Sequence, residues 1–289
     1  MTPRLSAWLL PLACTVLLAA CSGTGLLNAV TPAIGVTRQV GLAYGAHPRQ
    51  QLDVYLPATP AADGPQPVVL FFYGGSWNRG ERAQYRFVGE VLAGAGIVTA
   101  IADYRLYPEV RYPDFLDDSA AALAYVHRHL GEWGGDAGQL FVAGHSAGAY
   151  NAAMLALDPR WLGGQGLTPA ILAGWAGLAG PYDFIPVVNP EVRPVFHHPD
   201  TPPESQPIHH ADGSPPALIV AAREDELVNP QRNAVQLAER LEAQGTPVRL
   251  RLYDRVGHAT LVGALAWPLR WLAPVRDDLV GFIRGSGGS

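Results

Sequence analysis

The chain has 289 residues, of which 48% are hydrophobic and 16% charged, with a formal net charge of −5. That length accommodates one large α/β domain or two small ones. The weakly acidic balance, with no basic stripe to neutralise phosphates, argues against a nucleic-acid partner.

Arg4 begins a short positive segment, and the run from Ala7 to Ala20 is almost entirely apolar. A membrane-spanning helix needs about 20 apolar residues, so this run reads as a signal peptide over residues 1–20. It stops at Leu18-Ala19-Ala20-Cys21-Ser22. Small residues followed by Cys resemble a bacterial lipobox, which implies lipidation of Cys21. The alternative is an ordinary signal peptide in which Cys21 is incidental. By the same resemblance, Ser22 after the Cys implies an outer-membrane lipoprotein. Cys14 and Cys21 are the two cysteines of the sequence. One would leave with the signal and the other would be acylated, so no disulfide, thiol nucleophile or Cys-based metal site remains for the domain.

Residues 21–37 show no clear period and read as a lipidated N-terminus and tether. A single domain is expected over 38–285, followed by a flexible tail at 286–289. Within the domain, Gln51 to Leu56 alternates polar and apolar residues, as an edge strand does. Val68 to Phe72 is a continuous apolar run, suited to a strand buried on both faces. A helix over Tyr85 to Ala95, a strand over Ile97 to Ala102 and a helix over Pro113 to Leu130 follow. Leu140 to Ala143 is a short strand running into Gly144, and Ala147 to Leu157 is a helix. Strands are predicted at Ile171 to Leu178, Ala217 to Ala222 and Val248 to Tyr253, with helices at Gln231 to Gln244 and Val275 to Ile283. This alternation implies an α/β fold of three layers, a mostly parallel central sheet with helices on both faces. Residues 189–216, rich in Pro and His, read as a long loop over one end of the sheet.

Gly144-His145-Ser146-Ala147-Gly148 sits between a short apolar strand and a helix. Such a turn holds a serine hydroxyl at a helix N-terminus, at the C-terminal edge of a sheet. A serine needs a base to take its proton, and the base needs an anion to orient it. After a strand–Ser–helix elbow these partners come in the order acid, then His. Asp225, in the polar turn after the strand Ala217 to Ala222, is the candidate acid. Glu224, Glu226, Asp183 and Asp254 are its rivals. His258, after the strand Val248 to Tyr253, fits the order as base. His197, His198, His209 and His210 lie upstream of the acid, in the long loop. Adjacent His side chains do not easily converge on one ion, so no metal site is expected. A tetrahedral oxyanion needs fixed N–H donors. The candidates are the backbone amides of Gly75, Ser76 and Ala147, with Gly74 shaping the loop. Trp77, His145 and Phe184 are candidate substrate-binding residues, although both aromatics also read as packing.

Together with Asp103-Tyr104-Arg105-Leu106-Tyr107-Pro108, Gly134-Gly135-Asp136 and Gly180-Pro181-Tyr182-Asp183-Phe184, these motifs resemble the esterase and lipase group of α/β-hydrolases that includes feruloyl-esterase-like and kynurenine-formamidase-like members. The resemblance spans nearly the whole domain. It implies a serine carboxylesterase acting without cofactor, and the 189–216 insertion, too short for a full lipase lid, favours short-chain or small aromatic esters. An amidase, formamidase or peptidase with the same triad remains open, as does a non-catalytic binding protein on this scaffold. The family usually carries His-Gly-Gly-X-Trp in the oxyanion loop, where this chain has Tyr73. Asp103 and Arg105 look like a structural pair. Oligomeric state is left open.

Overall fold

The computed structural model describes residues 23–58 and 64–285. The segment expected to be a signal peptide, Cys21 and the tail expected at 286–289 lie outside the described residues. Eight strands form one sheet: β1 (Val36–Ala43), β2 (Gln51–Pro57), β3 (Gln66–Phe72), β4 (Val98–Ala102), β5 (Gly135–His145), β6 (Gly174–Leu178), β7 (Ala217–Ala222) and β8 (Val248–Tyr253). Their order is β1-β2-β4-β3-β5-β6-β7-β8. β2 pairs antiparallel with β1 and β4, and every other pairing is parallel.

The helices are α1 (Gly23–Val30), α2 (Arg86–Ala93), α3 (Asp114–His129), α4 (Ala147–Leu157), α5 (Pro159–Gly163), α6 (Gln236–Ala243), α7 (His258–Gly263) and α8 (Val275–Ile283). The chain reverses direction across the sheet after β4. With right-handed crossovers, that reversal puts α2 on the opposite face from α3 and α4. Every residue of β4, β6 and β7 is consequently buried, whereas β8 at the edge is half-buried throughout. α4 is buried along its whole length, because it packs on β3, β5 and β6 at the centre of the sheet.

Three expectations need correction. β2 is an inner strand, because β1 covers it; β1 is largely exposed and carries too little apolar pattern to announce itself. Gly23–Val30 is a helix laid on the domain and not part of a loose tether: Asn28 accepts from the Phe87 amide at 2.9 Å and donates to the Ala83 carbonyl at 2.8 Å, while Leu27 packs against the core. Asp103 and Arg105 do not pair with each other. Arg105 grips Asp118 of α3 through Nε and Nη2, the latter 2.8 Å from Oδ1. The 189–216 segment is an ordered wall, with Val195, Phe196, Ser205 and Gln206 buried in it.

Asp103 instead joins Asp53 of β2 around Arg82. The Arg82 Nε donates to Asp53 Oδ1 at 2.7 Å, its backbone amide donates to Asp103 Oδ1 at 2.7 Å, and its Nη1 reaches Asp103 Oδ2. Both carboxylates are buried, at 7% and 4% exposure, so each depends on this guanidinium. Replacing Arg82 with Met leaves two buried charges without their main partner. Arg82→Met should lower the unfolding free energy by about 3–5 kcal/mol, the range for breaking a buried ion pair. An unchanged urea midpoint would refute that dependence.

Candidate active site

β5 runs at the middle of the sheet and ends at His145, and α4 begins two residues later at Ala147. Ser146 between them has φ 54° and ψ −121°, a backbone conformation that side chains other than glycine rarely take. The strain is held by crowding on every side. A Cβ on Gly144 would strike the Gly148 carbonyl, and one on Gly148 would strike the Phe72 carbonyl at the end of β3. A Cβ on Gly74 would lie 2.9 Å from the Ser146 Cβ. The small residues of this motif are therefore what let strand, helix and neighbouring loop meet at the serine.

The candidate acid and base come from the loops after β7 and β8. Glu224 and Glu226 are exposed, and Asp225 between them is buried. Asp225 Oδ1 accepts from the amides of Leu227 and Val228, both at 2.9 Å, and Oδ2 is 2.7 Å from His258 Nδ1. Burial alone would push this carboxyl up. The hydrogen bond to His258, its charge, and the two amides outweigh burial and hold Asp225 below the usual carboxylate range. A carboxylate only accepts, so Nδ1 of His258 carries the proton. That leaves Nε2 bare, 2.8 Å from Ser146 Oγ, to accept from the hydroxyl. The rivals are engaged elsewhere: Asp183 pairs with Arg232 at 2.8 Å and Asp254 with Arg223 at 2.9 Å. Among the long-loop histidines, His197 and His210 face the carbonyls of Tyr112 and Glu204.

The loop after β3 arches over the serine. Gly75 has φ 142°, and a Cβ there would collide with the Arg79 carbonyl. Among the described residues, the backbone amides of Gly75, Ser76 and Ala147 have no acceptor, while all three residues line the same pocket as Ser146 and His258. That is the arrangement expected of donors awaiting an oxyanion. Tyr73, where the family carries His, is fully buried and stacks on Tyr104 at 4.9 Å. Its hydroxyl accepts from Arg49 Nη2 at 2.5 Å, and the same guanidinium nitrogen donates to the Gly80 carbonyl at 2.8 Å. Tyr73 and Arg49 together brace the two ends of the loop.

The pocket has a volume of roughly 450 Å³. Phe184, Val187, Val188, Val192, Leu227 and Val228 give it apolar walls. Trp77 closes it from below, but only 2% of that residue is exposed. Its indole donates to Asn151 Oδ1 at 2.9 Å, and its ring packs against Tyr150 and Phe196. Packing is its main role.

His145 also departs from the substrate-binding expectation, because both of its ring nitrogens are taken by protein. Nε2 is 3.0 Å from the His258 carbonyl and Nδ1 is 2.9 Å from the Tyr85 hydroxyl. The carbonyl only accepts, so Nε2 carries the proton and the Tyr85 hydroxyl donates to Nδ1. Burial and the neighbouring His258 push the His145 pKa down to about 3, which keeps the ring neutral. The Tyr85 oxygen also accepts from the Gly74 amide at 3.3 Å. Two buried side chains thus tie the oxyanion loop to the backbone of the candidate base. Tyr85 carries no signal of this role in the sequence, where it is the first apolar residue of a helical run. Removing its hydroxyl strands a buried amide and a buried imidazole nitrogen. Tyr85→Phe should therefore cost about 1–3 kcal/mol of stability, read from chemical denaturation; an unaltered midpoint would show that the bridge contributes nothing.

The family model BD-FAE matches residues 52–161. An isoprenylcysteine alpha-carbonyl methylesterase of Arabidopsis thaliana is 34% identical over 152 residues, which is 51% of this chain and 35% of the plant protein. The chain thus spans about a third of the length of such plant relatives. Esterase LipI of Mycobacterium tuberculosis is 29% identical over 235 residues, covering 73% of this chain and 72% of that one. Among solved structures, a bacterial heroin esterase superposes with a TM-score of 0.71 at 25% identity, over 100% of this chain and 95% of its own. The parallel sheet, the strained serine between β5 and α4, and these likenesses show the α/β-hydrolase fold, and the chain is similar to esterases built on it.

Proposed function

We propose that this protein is a serine carboxylesterase acting on short-chain or small aromatic esters through an acyl-enzyme. The observation that carries the reading is the continuous chain from Asp225 through His258 to Ser146, at 2.7 and 2.8 Å, opening into an apolar pocket rimmed by unpaired amides. The esterase names of the relatives support an ester over an amide as substrate.

In this mechanism the Ser146 hydroxyl attacks the carbonyl while His258 Nε2 takes its proton. Asp225 keeps His258 in the tautomer whose Nε2 is bare, and stabilises the imidazolium that forms. Negative charge on the carbonyl oxygen meets the amides of Gly75, Ser76 and Ala147, which need no reorganisation because the loop is already braced. His258 then protonates the leaving alcohol, and in the second half it draws a proton from water to release the acid. The modest pocket, walled by an ordered 189–216 segment and not by a large lid, suits a small acyl group. Ser146→Ala should reduce turnover of p-nitrophenyl acetate by about 10⁴-fold or more and abolish labelling by a fluorophosphonate, as expected for loss of a triad nucleophile. Residual turnover at the parent rate would exclude the mechanism.

We also infer that the chain is exported and anchored by lipid at Cys21, in the outer membrane. The support is the apolar run to Ala20 and the small residues before the cysteine. Cells fed a radiolabelled fatty acid should incorporate label into the parent chain and none into Cys21→Ser. Equal labelling of both would overturn the anchor.

A further inference from the structure

We propose that the mouth of the active-site pocket is itself a bilayer-docking surface. The enzyme would then draw esters with a small acyl group and an apolar alcohol directly from the membrane. This rests on the esterase reading for its substrate, and on surface chemistry together with the proposed anchor at Cys21 for its partner.

Large apolar side chains are mostly buried in this protein, and those left exposed are not scattered. Leu26 and Val30 lie on α1 at 55% and 38% exposure, Val188 and Leu227 on the pocket wall at 76% and 73%, and Trp267 and Trp271 at 61% and 71%. Ile34, before the outer strand, and Val40 on it stand apart, at 80% and 65% exposure.

Contacts join these groups into one face. Thr24 of α1 lines the pocket. Leu27 of α1 packs beside Gly263, the last residue of the helix that begins at His258. The Trp267 indole donates to the Val30 carbonyl at 3.1 Å, which fixes the Trp267 turn against the end of α1. Exposed aliphatic groups at the pocket wall, Val188 and Leu227, are therefore continued along α1 by Leu26 and Val30 and beyond it by the indole of Trp267, with Trp271 four residues further on. Isolated exposed apolar residues are ordinary, but a contiguous set rimming a cleft marks a binding surface. Tryptophan is the residue that best tolerates the boundary between headgroups and acyl chains.

The occupant follows from what precedes α1. Cys21 lies two residues before Gly23, so an acyl group there is separated from α1 by no more than about 7 Å of chain. An anchor at Cys21 would hold the domain at the bilayer surface, where an apolar face beside it adds buried apolar area to the attachment. The six rim residues carry no charge, so the surface suits a zwitterionic bilayer as well as an anionic one. Held this way, the pocket opens into the acyl-chain boundary, where an apolar alcohol already resides.

The test uses the full exported chain bound to phosphatidylcholine vesicles. Bromine on the upper acyl chain should quench its tryptophan fluorescence, and Trp267→Phe with Trp271→Phe should remove that quenching, since Trp77, Trp133 and Trp175 are buried and Trp161 is half-buried against Tyr112. In a second arm, Leu26→Ser, Trp267→Ser and Trp271→Ser are combined. This variant should hydrolyse hexadecyl acetate dissolved in the vesicles at least about tenfold more slowly than the parent, as expected for loss of interfacial apolar area. It should keep the parent rate on p-nitrophenyl acetate in water. Absence of quenching, quenching that survives the Phe substitutions, or equal loss of both activities would each overturn the docking surface. So would a parent chain that is dimeric in solution and becomes monomeric in the triple-serine variant, which would make the rim a self-association face. A parent chain that is quenched but hydrolyses neither ester would leave the docking surface standing and sink the esterase reading.

Discussion

There is no spare volume at the turn between β5 and α4. Gly144, Gly148 and Gly74 each stand where a single added carbon would meet backbone or the serine itself. This crowding forces Ser146 into its positive φ, and that conformation lifts the hydroxyl clear of the sheet toward His258. The rest of the site is arranged around this fixed point. The loop after β3 lies close enough to place its amides over the serine only because Gly74 lacks a side chain. α4 starts where it does because Gly148 can rest on the end of β3, and its N-terminal amide at Ala147 then faces the pocket. Position, strain and donor geometry are consequences of one packing constraint.

Around that point the protein uses buried polar side chains as struts. Arg82 gathers two carboxylates at the β2–β4 end of the sheet, and Arg49 links Tyr73 to the Gly80 carbonyl under the oxyanion loop. Tyr85 and His145 join that loop to the His258 backbone. Each strut satisfies groups that would be costly to bury alone. The loop after β3 is therefore braced, although it belongs to no α-helix or strand. A histidine in the place of Tyr73 could not reach Arg49 in the same way, so tyrosine with Arg49 is a different solution to the same bracing problem.

Much of this was legible in the sequence, for identifiable reasons. β7, β8, α4 and α8 coincide with their predicted spans because each is a clean apolar run or period bounded by turn residues. Chain order, strand ends and loop chemistry all point to Ser146, Asp225 and His258, which the fold brings together. β1 escaped because a largely exposed strand has no hydrophobic signature, and missing it made β2 look like an edge. α1 escaped because its eight residues bury none of their number fully, so no face stands out. Asp103 and Arg105 read as a pair because they are two residues apart in sequence, whereas the groups they grip, Arg82 and Asp118, are near only in space. The Tyr85–His145 bridge is invisible to any pattern, since it depends on two hydroxyl and ring positions brought together by the sheet.

β8 is the outermost strand on its side, half-buried at every position, and His258 follows it by five residues. Ser146 sits on the other side of β6 and β7, in the most protected part of the sheet. Edge strands open at lower free energy than central ones. His258, the proposed base, can therefore separate from Ser146 in a local opening of β8 that leaves the turn at Ser146 and most of the core intact. Resistance to heat and resistance to inactivation are then separate properties of this molecule: the first belongs to the centre of the sheet, and the second to the grip of β7 on β8.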